Sequence, residues 1–442
     1  MGTIWRVFST VADRAAVAAL LDRRGLLGGV VAELQASVAE IIARVRDEGD
    51  AALLEYTRRF DGAAVDPDRL RLTAEEIASG AEATHPDLRQ AIARAAENIR
   101  RFHQAQRRCD LLAMNEDGSV LGLRFVPLAR VGVYVPGGAG GATPLISSVL
   151  MNVIPAQVAG VGAIAVCSPP RPDGTLAPAL LAALAHLGVE EVYRVGGAQA
   201  VAAMAYGTET IQAVDKIVGP GNRYVTEAKR QVFGRVGIDL LAGPSEVAII
   251  ADGSADPRLV AADLLAQAEH DPEAGAILFT PSRALAEAVG REIQALLSAL
   301  PRAGVAGESL AGHGGAVVTR DLEEALALAE TLAPEHLELM VADPFALAGR
   351  VKRAGAVFLG AFSPEALGDY AAGTNHVLPT NGTARFASGL GVDDFLRRMS
   401  IVAYSPGGFA ADAPAAIHLA EAEGLSAHAL SLKERLARGE RA

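Results

Sequence analysis

Four short segments gather the residue types that bind metals or move protons. LLAQAEHDPEA, at 264–274, sets Gln267 and His270 three residues apart on one helix face, just before Asp271-Pro272 ends that helix. LAPEHLEL places Glu335 directly before His336, and GDYAAGTNHVLPT carries Asp369 and, seven residues on, His376. EGLSAHAL carries Glu423 and His428. Neutral imidazole nitrogens with amide and carboxylate oxygens suit a borderline cation such as Zn2+ and need no thiolate. A helix-terminal histidine that satisfies the last carbonyls is the plain structural account of His270, and the spacing leaves both accounts open. Glu335 and His336 stand at the entrance of a strand-like run. There a carboxylate and an imidazole could serve as bases on one bound substrate, or could belong to a solvated loop. His85, His103, His186, His313 and His418 stand among apolar or ordinary surface residues and read as structural or solvated.

Gly-rich turns form a second class of candidate. YRVGGAQAVAAMAYG and KIVGPGNRYVTEAKR each run from a strand through glycines into a helix, where first-turn amides and the helix dipole favour phosphate. Neither is the GxGxxG fingerprint, and no acidic residue stands at the expected distance beyond. Such turns also need glycine for packing alone. YVPGGAGGATPLISS is a longer Gly-rich loop after a strand, a ligand wrap or a mobile connection.

These segments need a scaffold, and the rest of the chain describes one. With 442 residues, half of them hydrophobic, the chain can bury ample core and should divide into domains. A net charge of −12 leaves no basic field for nucleic acid, so an anionic ligand must be held locally. Cys109 and Cys167 are far apart and imply no disulfide framework. The first twenty residues mix charges and lack an apolar core, and no apolar stretch is long enough to span a bilayer. The chain therefore reads as soluble and cytoplasmic.

From 28 to 110 the apolar spacing is helical. After Pro127 come RVGVYVP, AIAVCSP, EVYRVGG, KIVGPG and GIDLLAGP, then EVAIIAD, GAILFTP, GAVVTR, HLELMVAD and GAVFLG, all short β-branched runs separated by Ala-rich helical stretches. That is the pattern of parallel strands with crossover helices, in two tandem Rossmann-like α/β units. The expected organisation is a helical arm over 1–27 and a first α/β domain from 28–133 and 245–388 bearing the metal and catalytic residues. A second α/β domain over 134–244 would bind NAD, and a helical tail over 389–442 would need another surface to cover its apolar face.

Taken in order, RVGVYVPGG, VGGAQAVAA, GPGNRYVTEAKRQVFG, LAGPSEVAIIAD, LLAQAEHDPEA, APEHLEL, SPEALGDYAAGTNHVLPT and AEGLSAH closely resemble the histidinol dehydrogenase family. VRDEGDAALLEYTRRFDG extends the likeness upstream, so that it covers about 40–432. The resemblance implies an NAD-dependent zinc enzyme that oxidises L-histidinol through the aldehyde to L-histidine, the closing step of histidine biosynthesis. By motif match the zinc ligands would be Gln267, His270, Asp369 and His428. Tyr134, Gln199 and Asn222 would contact NAD. Ser147, Ser245, His336, His376 and Glu423 would touch substrate beside the zinc ligands, with Glu335 and His336 as the acid/base pair. The resemblance further implies an intertwined homodimer whose tail supplies Glu423 and His428 to the neighbouring subunit's site.

One departure is the stretch GGAGGATPLISS, longer than the run usual in the family and leading to Ser147. It leaves room for a paralogous zinc/NAD dehydrogenase acting on another small polyol, such as a sulfonated propanediol. Two readings outside the family also stand: a zinc hydrolase, disfavoured by the lack of an HExxH helix, and a catalytically silent α/β binding protein.

Overall fold

A strand covered on both faces has no polar side to present, which is why the short β-branched runs are continuously apolar. In the computed structural model, which describes residues 4–23, 32–137 and 144–439, each run becomes such a strand. β4 (Arg130–Tyr134), β5 (Ala163–Ser168), β6 (Glu191–Arg194), β7 (Lys216–Val218) and β8 (Gly237–Ile238) form a parallel sheet in the order β6-β5-β4-β7-β8. β9 (Glu246–Ala251), β10 (Gly275–Thr280), β11 (Gly314–Val318), β12 (His336–Met340) and β13 (Ala356–Leu359) form another in the order β11-β10-β9-β12-β13. Counted from its own first strand, each order is three-two-one-four-five, a doubly wound sheet with its switch point beside that strand. The two tandem Rossmann-like units are thus present.

The N-terminal segment adds a strand to the helix expected there. β1 (Val7–Ser9) pairs in parallel with β11 at the sheet edge, and the helix Arg14–Leu21 follows it. Helices between 32 and 104 were expected to group with 245–388; their packing runs the other way. Ala32–Glu48 lies on the helices Gly197–Tyr206 and Arg223–Val232, Ala74–Glu82 on Pro178–His186, and Pro86–Gln104 on Ile146–Ala159. Val38, Ile41, Leu53 and Tyr56 share a core with Val201, Met204 and Ile217. The change of texture at Pro127 therefore marks the entry into a sheet, not a domain boundary: the Ala-rich crossover helices of β4–β8 present a second apolar face, and the preceding helices cover it.

The tail is not helical throughout. β14 (Leu396–Ala403) runs antiparallel to β3 (Val120–Pro127), which pairs on its other side with β2 (Leu111–Met114). The helices Pro406–Ala422 and Ser426–Gly439 then pack on each other around Ile417, Ala420 and Ala429, with Leu419, Leu425 and Leu430 exposed. Among the described residues no helix is long and apolar enough to cross a membrane.

One buried ion pair ties the N-terminal segment to the second sheet. Arg23 Nε lies 2.8 Å from Glu246 Oε2, both side chains almost wholly buried, and Arg23 Nη2 donates to the Glu273 carbonyl at 2.6 Å. Burial raises Glu246 to about 7 in spite of Arg23, and burial also lowers Arg23. Both directions oppose ionisation, so loss of water outweighs the pairing. Glu246 in the folded chain thus holds its proton to a pH well above the unfolded value of about 4.3. Its contribution to stability is complete below that value and is lost as pH rises through about 7. Glu246→Gln should therefore flatten the decline in thermal stability of the metal-free protein between about pH 5 and pH 8, by up to roughly 3 kcal/mol. An unchanged slope in calorimetric melts across that range would rule the titration out.

Candidate functional site

The site begins with strand alternation. In His-Leu-Glu-Leu-Met, residues two apart share a face, so His336, Glu338 and Met340 turn one way. Met340 joins the core formed with Leu264 and Leu265, whereas Leu337 and Leu339 join the core on the other face. His336 and Glu338 therefore face the helix Pro257–Ala268. That helix is begun by Pro257 and capped by Asp256, whose Oδ1 accepts from Arg258 N at 2.8 Å. Asp263 and Gln267 are one turn apart on it, and His270 follows just past its end. On the third side, the helix Glu365–Tyr370 presents Glu365 and Asp369, again one turn apart, and Glu365 N donates to Glu338 Oε1 at 2.7 Å.

Glu335 reaches this place through a sharp turn. The helix Leu322–Leu332 ends at Ala333 in the left-handed region (φ 52°), and only Pro334 and Glu335 separate it from β12. Glu335 Oε2 accepts from Glu246 N at 3.1 Å, and a hydrogen bond from Ser245 helps to hold its carboxylate form. The cluster is continuous. His336 Nδ1 lies 3.9 Å from Glu335 Oε2 and 3.8 Å from Glu365 Oε1, and its Nε2 lies 3.8 Å from Asp369 Oδ1. His376 Nδ1 donates to the Asp369 carbonyl at 3.1 Å. Next to it, Asn375 Nδ2 donates at 2.6 Å to the Met151 carbonyl, on the helix Ile146–Ala159 that bears Ser147.

Amide oxygen and nitrogen have the same shape, so neighbours decide the orientation of Gln267. With its nitrogen toward Glu365 it donates to Oε1 at 3.1 Å and Oε2 at 3.2 Å, and its oxygen accepts from His270 Nδ1 at 3.1 Å. The opposite orientation would face nitrogen with nitrogen and oxygen with oxygen.

Desolvation governs the charges. It holds Glu335, Glu338 and Glu365 well above the ordinary carboxylate range, raises Asp369 to about 7 and raises Asp263 to about 6. It pushes His336 down to about 3 and His376 to about 4, and lowers His270, whose ring is partly open to solvent. The site thus holds neutral imidazoles among carboxyls kept from ionising, the donor set a divalent cation accepts. His336, Glu365 and Asp369 each offer an atom within 4.8 Å of the others. Asp369 is the member this group shares with the expected ligands Gln267, His270, Asp369 and His428. His336 Nε2 is buried without a hydrogen-bond partner.

The structure thus brings together Ser245, Gln267, His270, Glu335, His336, Asp369 and His376. Ser147 stands half-exposed in the first turn of its helix, and most of the longer Gly-rich loop, 138–143, lies outside the described residues. Glu423 and His428 are exposed on the C-terminal helices of this chain. Sequence reasoning passed over Asp263, Glu338 and Glu365, although Glu338 and Glu365 lie within LAPEHLEL and SPEALGDYAAGTNHVLPT and Asp263 directly precedes LLAQAEHDPEA. Their signal was periodicity: Asp263 one turn before Gln267, Glu338 two residues after His336, Glu365 one turn before Asp369. Glu246, at the first position of an apolar run, gave none.

The expected cofactor residues stand at the carboxyl ends of three strands: Tyr134 closes β4, Gln199 follows β6 and Asn222 follows β7. Gly219, just after β7, has φ +112°, and a Cβ there would lie 2.0 Å from the Tyr134 carbonyl oxygen, so only glycine permits this approach. Its amide donates to Asp239 Oδ2 at 2.7 Å and its carbonyl accepts from buried Lys229 Nζ at 3.0 Å, which pins the turn. Tyr134 Oη accepts from Gly197 N at 3.2 Å at the start of the next helix. Both polar atoms of the buried Gln199 amide lack partners. Asn222 caps the helix Arg223–Val232, its Oδ1 accepting from Tyr224 N at 3.0 Å and Val225 N at 3.2 Å.

The family profile described as histidinol dehydrogenase matches residues 29–436. Histidinol dehydrogenase of Geobacillus kaustophilus is 54% identical over 408 residues, 92% of this chain and 95% of that one. That of Gluconobacter oxydans is 54% identical over 419 residues, 95% and 96% of the two chains. The crystal structure of histidinol dehydrogenase from Elizabethkingia anophelis matches with a TM-score of 0.93 at 37% identity, covering 99% of each chain. The chain belongs to the histidinol dehydrogenase family, oxidoreductases of histidine biosynthesis.

Proposed function

We propose that this enzyme oxidises L-histidinol through L-histidinal to L-histidine, passing two hydrides to two NAD+ at a zinc site. The observation that carries this reading is the buried, unpartnered Nε2 of His336, 3.8 Å from Asp369 Oδ1 in a cluster of carboxyls that no Lys or Arg among the described residues pairs directly. The names of the relatives favour histidinol over a sulfonated propanediol. Gln267, His270 and Asp369 would hold zinc together with the partner subunit's His428. Tyr134, Gln199 and Asn222 would contact NAD, the orphaned Gln199 amide gaining its missing partners there. Ser147, Ser245, His376 and the partner subunit's Glu423 would complete the substrate pocket. Zinc would orient the substrate, and NAD+ would accept each hydride.

The chain's own groups then move protons. Nδ1 of His336 faces Glu335 and Glu365, which favours the tautomer protonated there and leaves Nε2 to take the hydroxyl proton of the alcohol. With the site loaded, the carboxyls facing His336 at 3.8–3.9 Å would be anionic and would make its imidazole a stronger base. Glu335, held above the ordinary range and hydrogen-bonded by Ser245 and Glu246 N, would take a proton from water as that water adds to the aldehyde. The hydrate loses a proton and the second hydride, giving the acid. Neither cysteine is needed: Cys109 is exposed, and burial raises the Cys167 thiol to about 12.

Product counting tests the whole sequence. The zinc-loaded enzyme with excess NAD+ should form two NADH per L-histidinol consumed; one NADH with release of aldehyde, or none, would refute the four-electron reading. Glu335→Gln should slow oxidation of supplied L-histidinal by about 10²–10⁴-fold while the alcohol step changes far less. Equal losses in both steps would remove Glu335 from water activation. The shared site is tested by mixing His428→Ala and Gln267→Ala chains, each inactive alone. Each heterodimer should contain one intact site, so a statistical mixture should regain about a quarter of wild-type activity. No recovery would mean that each subunit completes its own site.

A further inference from the structure

Glu365 belongs neither to the expected ligand set nor to the acid/base pair, yet it touches both. It is almost wholly buried, both oxygens face the Gln267 amide nitrogen at 3.1 and 3.2 Å, and Oε1 lies 3.8 Å from His336 Nδ1. Its own backbone N–H is fixed by Glu338 Oε1 at 2.7 Å, so the side chain leaves a rigid point. An amide ligand differs from a carboxylate ligand in one respect: half of its possible orientations present nitrogen, which carries hydrogens and no available lone pair. A metal site built on glutamine therefore needs something to choose the orientation.

We propose that Glu365 is a positioning residue which, by accepting from Gln267 Nε2, keeps the Gln267 oxygen turned away from itself and toward His270, the neighbouring expected ligand. His270 completes the selection from the other side, because its Nδ1 donates to that same oxygen at 3.1 Å. An acceptor oxygen remains on Glu365 whether or not the carboxyl is ionised, so the device works in either state. This inference rests on the assignment of Gln267 to zinc. Outer groups of this kind typically alter metal affinity by about 10–100-fold.

Zinc affinity of the metal-free, full-length protein, measured by competition with a chromophoric chelator, separates the possibilities without reference to turnover. Glu365→Met, which removes every acceptor, and Glu365→Asp, which keeps the carboxyl but withdraws its oxygens, should each weaken zinc binding by about 10–100-fold. Glu365→Gln, which retains one acceptor oxygen, should recover most of that loss. In a Gln267→Ala background, Glu365→Met should cost little more, because the two act through one ligand. If Glu365→Met costs its full effect in that background, Glu365 holds the metal directly and the proposal is overturned. If Gln267→Ala weakens zinc while neither Glu365→Met nor Glu365→Asp does, the positioning role fails and the zinc assignment stands. If Gln267→Ala leaves zinc affinity unchanged, the assignment itself fails and takes this inference with it. Should Glu365→Met not fold, Glu365→Asp alone decides: undiminished affinity refutes the proposal.

Discussion

Taking carboxyl groups out of water without supplying cations is the constraint from which the rest of this structure follows. Glu335, Glu338 and Glu365 sit in an apolar shell between β12 and the helices Pro257–Ala268 and Glu365–Tyr370, and desolvation raises all three. Nothing about folding rewards this arrangement, because buried acids oppose one another and displace good packing. What makes it tolerable is a dense set of hydrogen bonds to fixed backbone: Glu246 N to Glu335, Glu365 N to Glu338, Gly382 N to Glu246. The same fixity would make the site useful, since an arriving cation would meet ligands already placed and already short of charge.

The two parallel sheets use opposite ends. The cofactor candidates stand at carboxyl ends, Tyr134 and Asn222 at β4 and β7 beside the switch point and Gln199 after β6, on the side where α/β sheets ordinarily bind ligands. The acid/base candidates stand at the amino ends instead: Glu246 opens β9, and Glu335 and His336 open β12. The connection reconciles them. The chain leaves the carboxyl end of β8 at Ile238 and enters the amino end of β9 at Glu246, so the working end of one sheet leads directly to that of the other. Gly243 N donates to Thr380 Oγ1 at 2.8 Å and holds this crossing against the segment that follows His376.

Much of this was legible in the residues, for a physical reason. Buried parallel strands and amphipathic helices advertise themselves by period, and the two α/β units were read from that. The histidine-containing segments were legible because polar residues interrupt apolar runs there. Three things were hidden. Strand β14 lies in a Gly- and Ala-containing stretch whose exposed faces give no alternation of burial. The grouping of residues 32–104 depends on which apolar face is left uncovered elsewhere, which no local pattern records. Glu338 and Asp263 look like ordinary solvated acids until the strand and helix carrying them are packed face to face.

The antiparallel sheet raises a question of cover. β2 is exposed along its whole length, Leu111, Leu112 and Met114 among its residues, and Val402 of β14 is exposed as well. A small sheet gains little stability in water unless one face meets an apolar surface. The tail helices anchored beyond it bury only a small cluster between themselves and leave Leu419 and Leu430 open. An apolar sheet and an apolar helix pair, both uncovered and joined end to end, require a partner surface of matching size. A second copy would supply one by symmetry, and in reaching across it would carry His428 and Glu423 away from the chain that makes them. The proposed sharing of the site would then account for the exposure of the tail: residues meant to serve a neighbour would stand exposed on the chain that carries them.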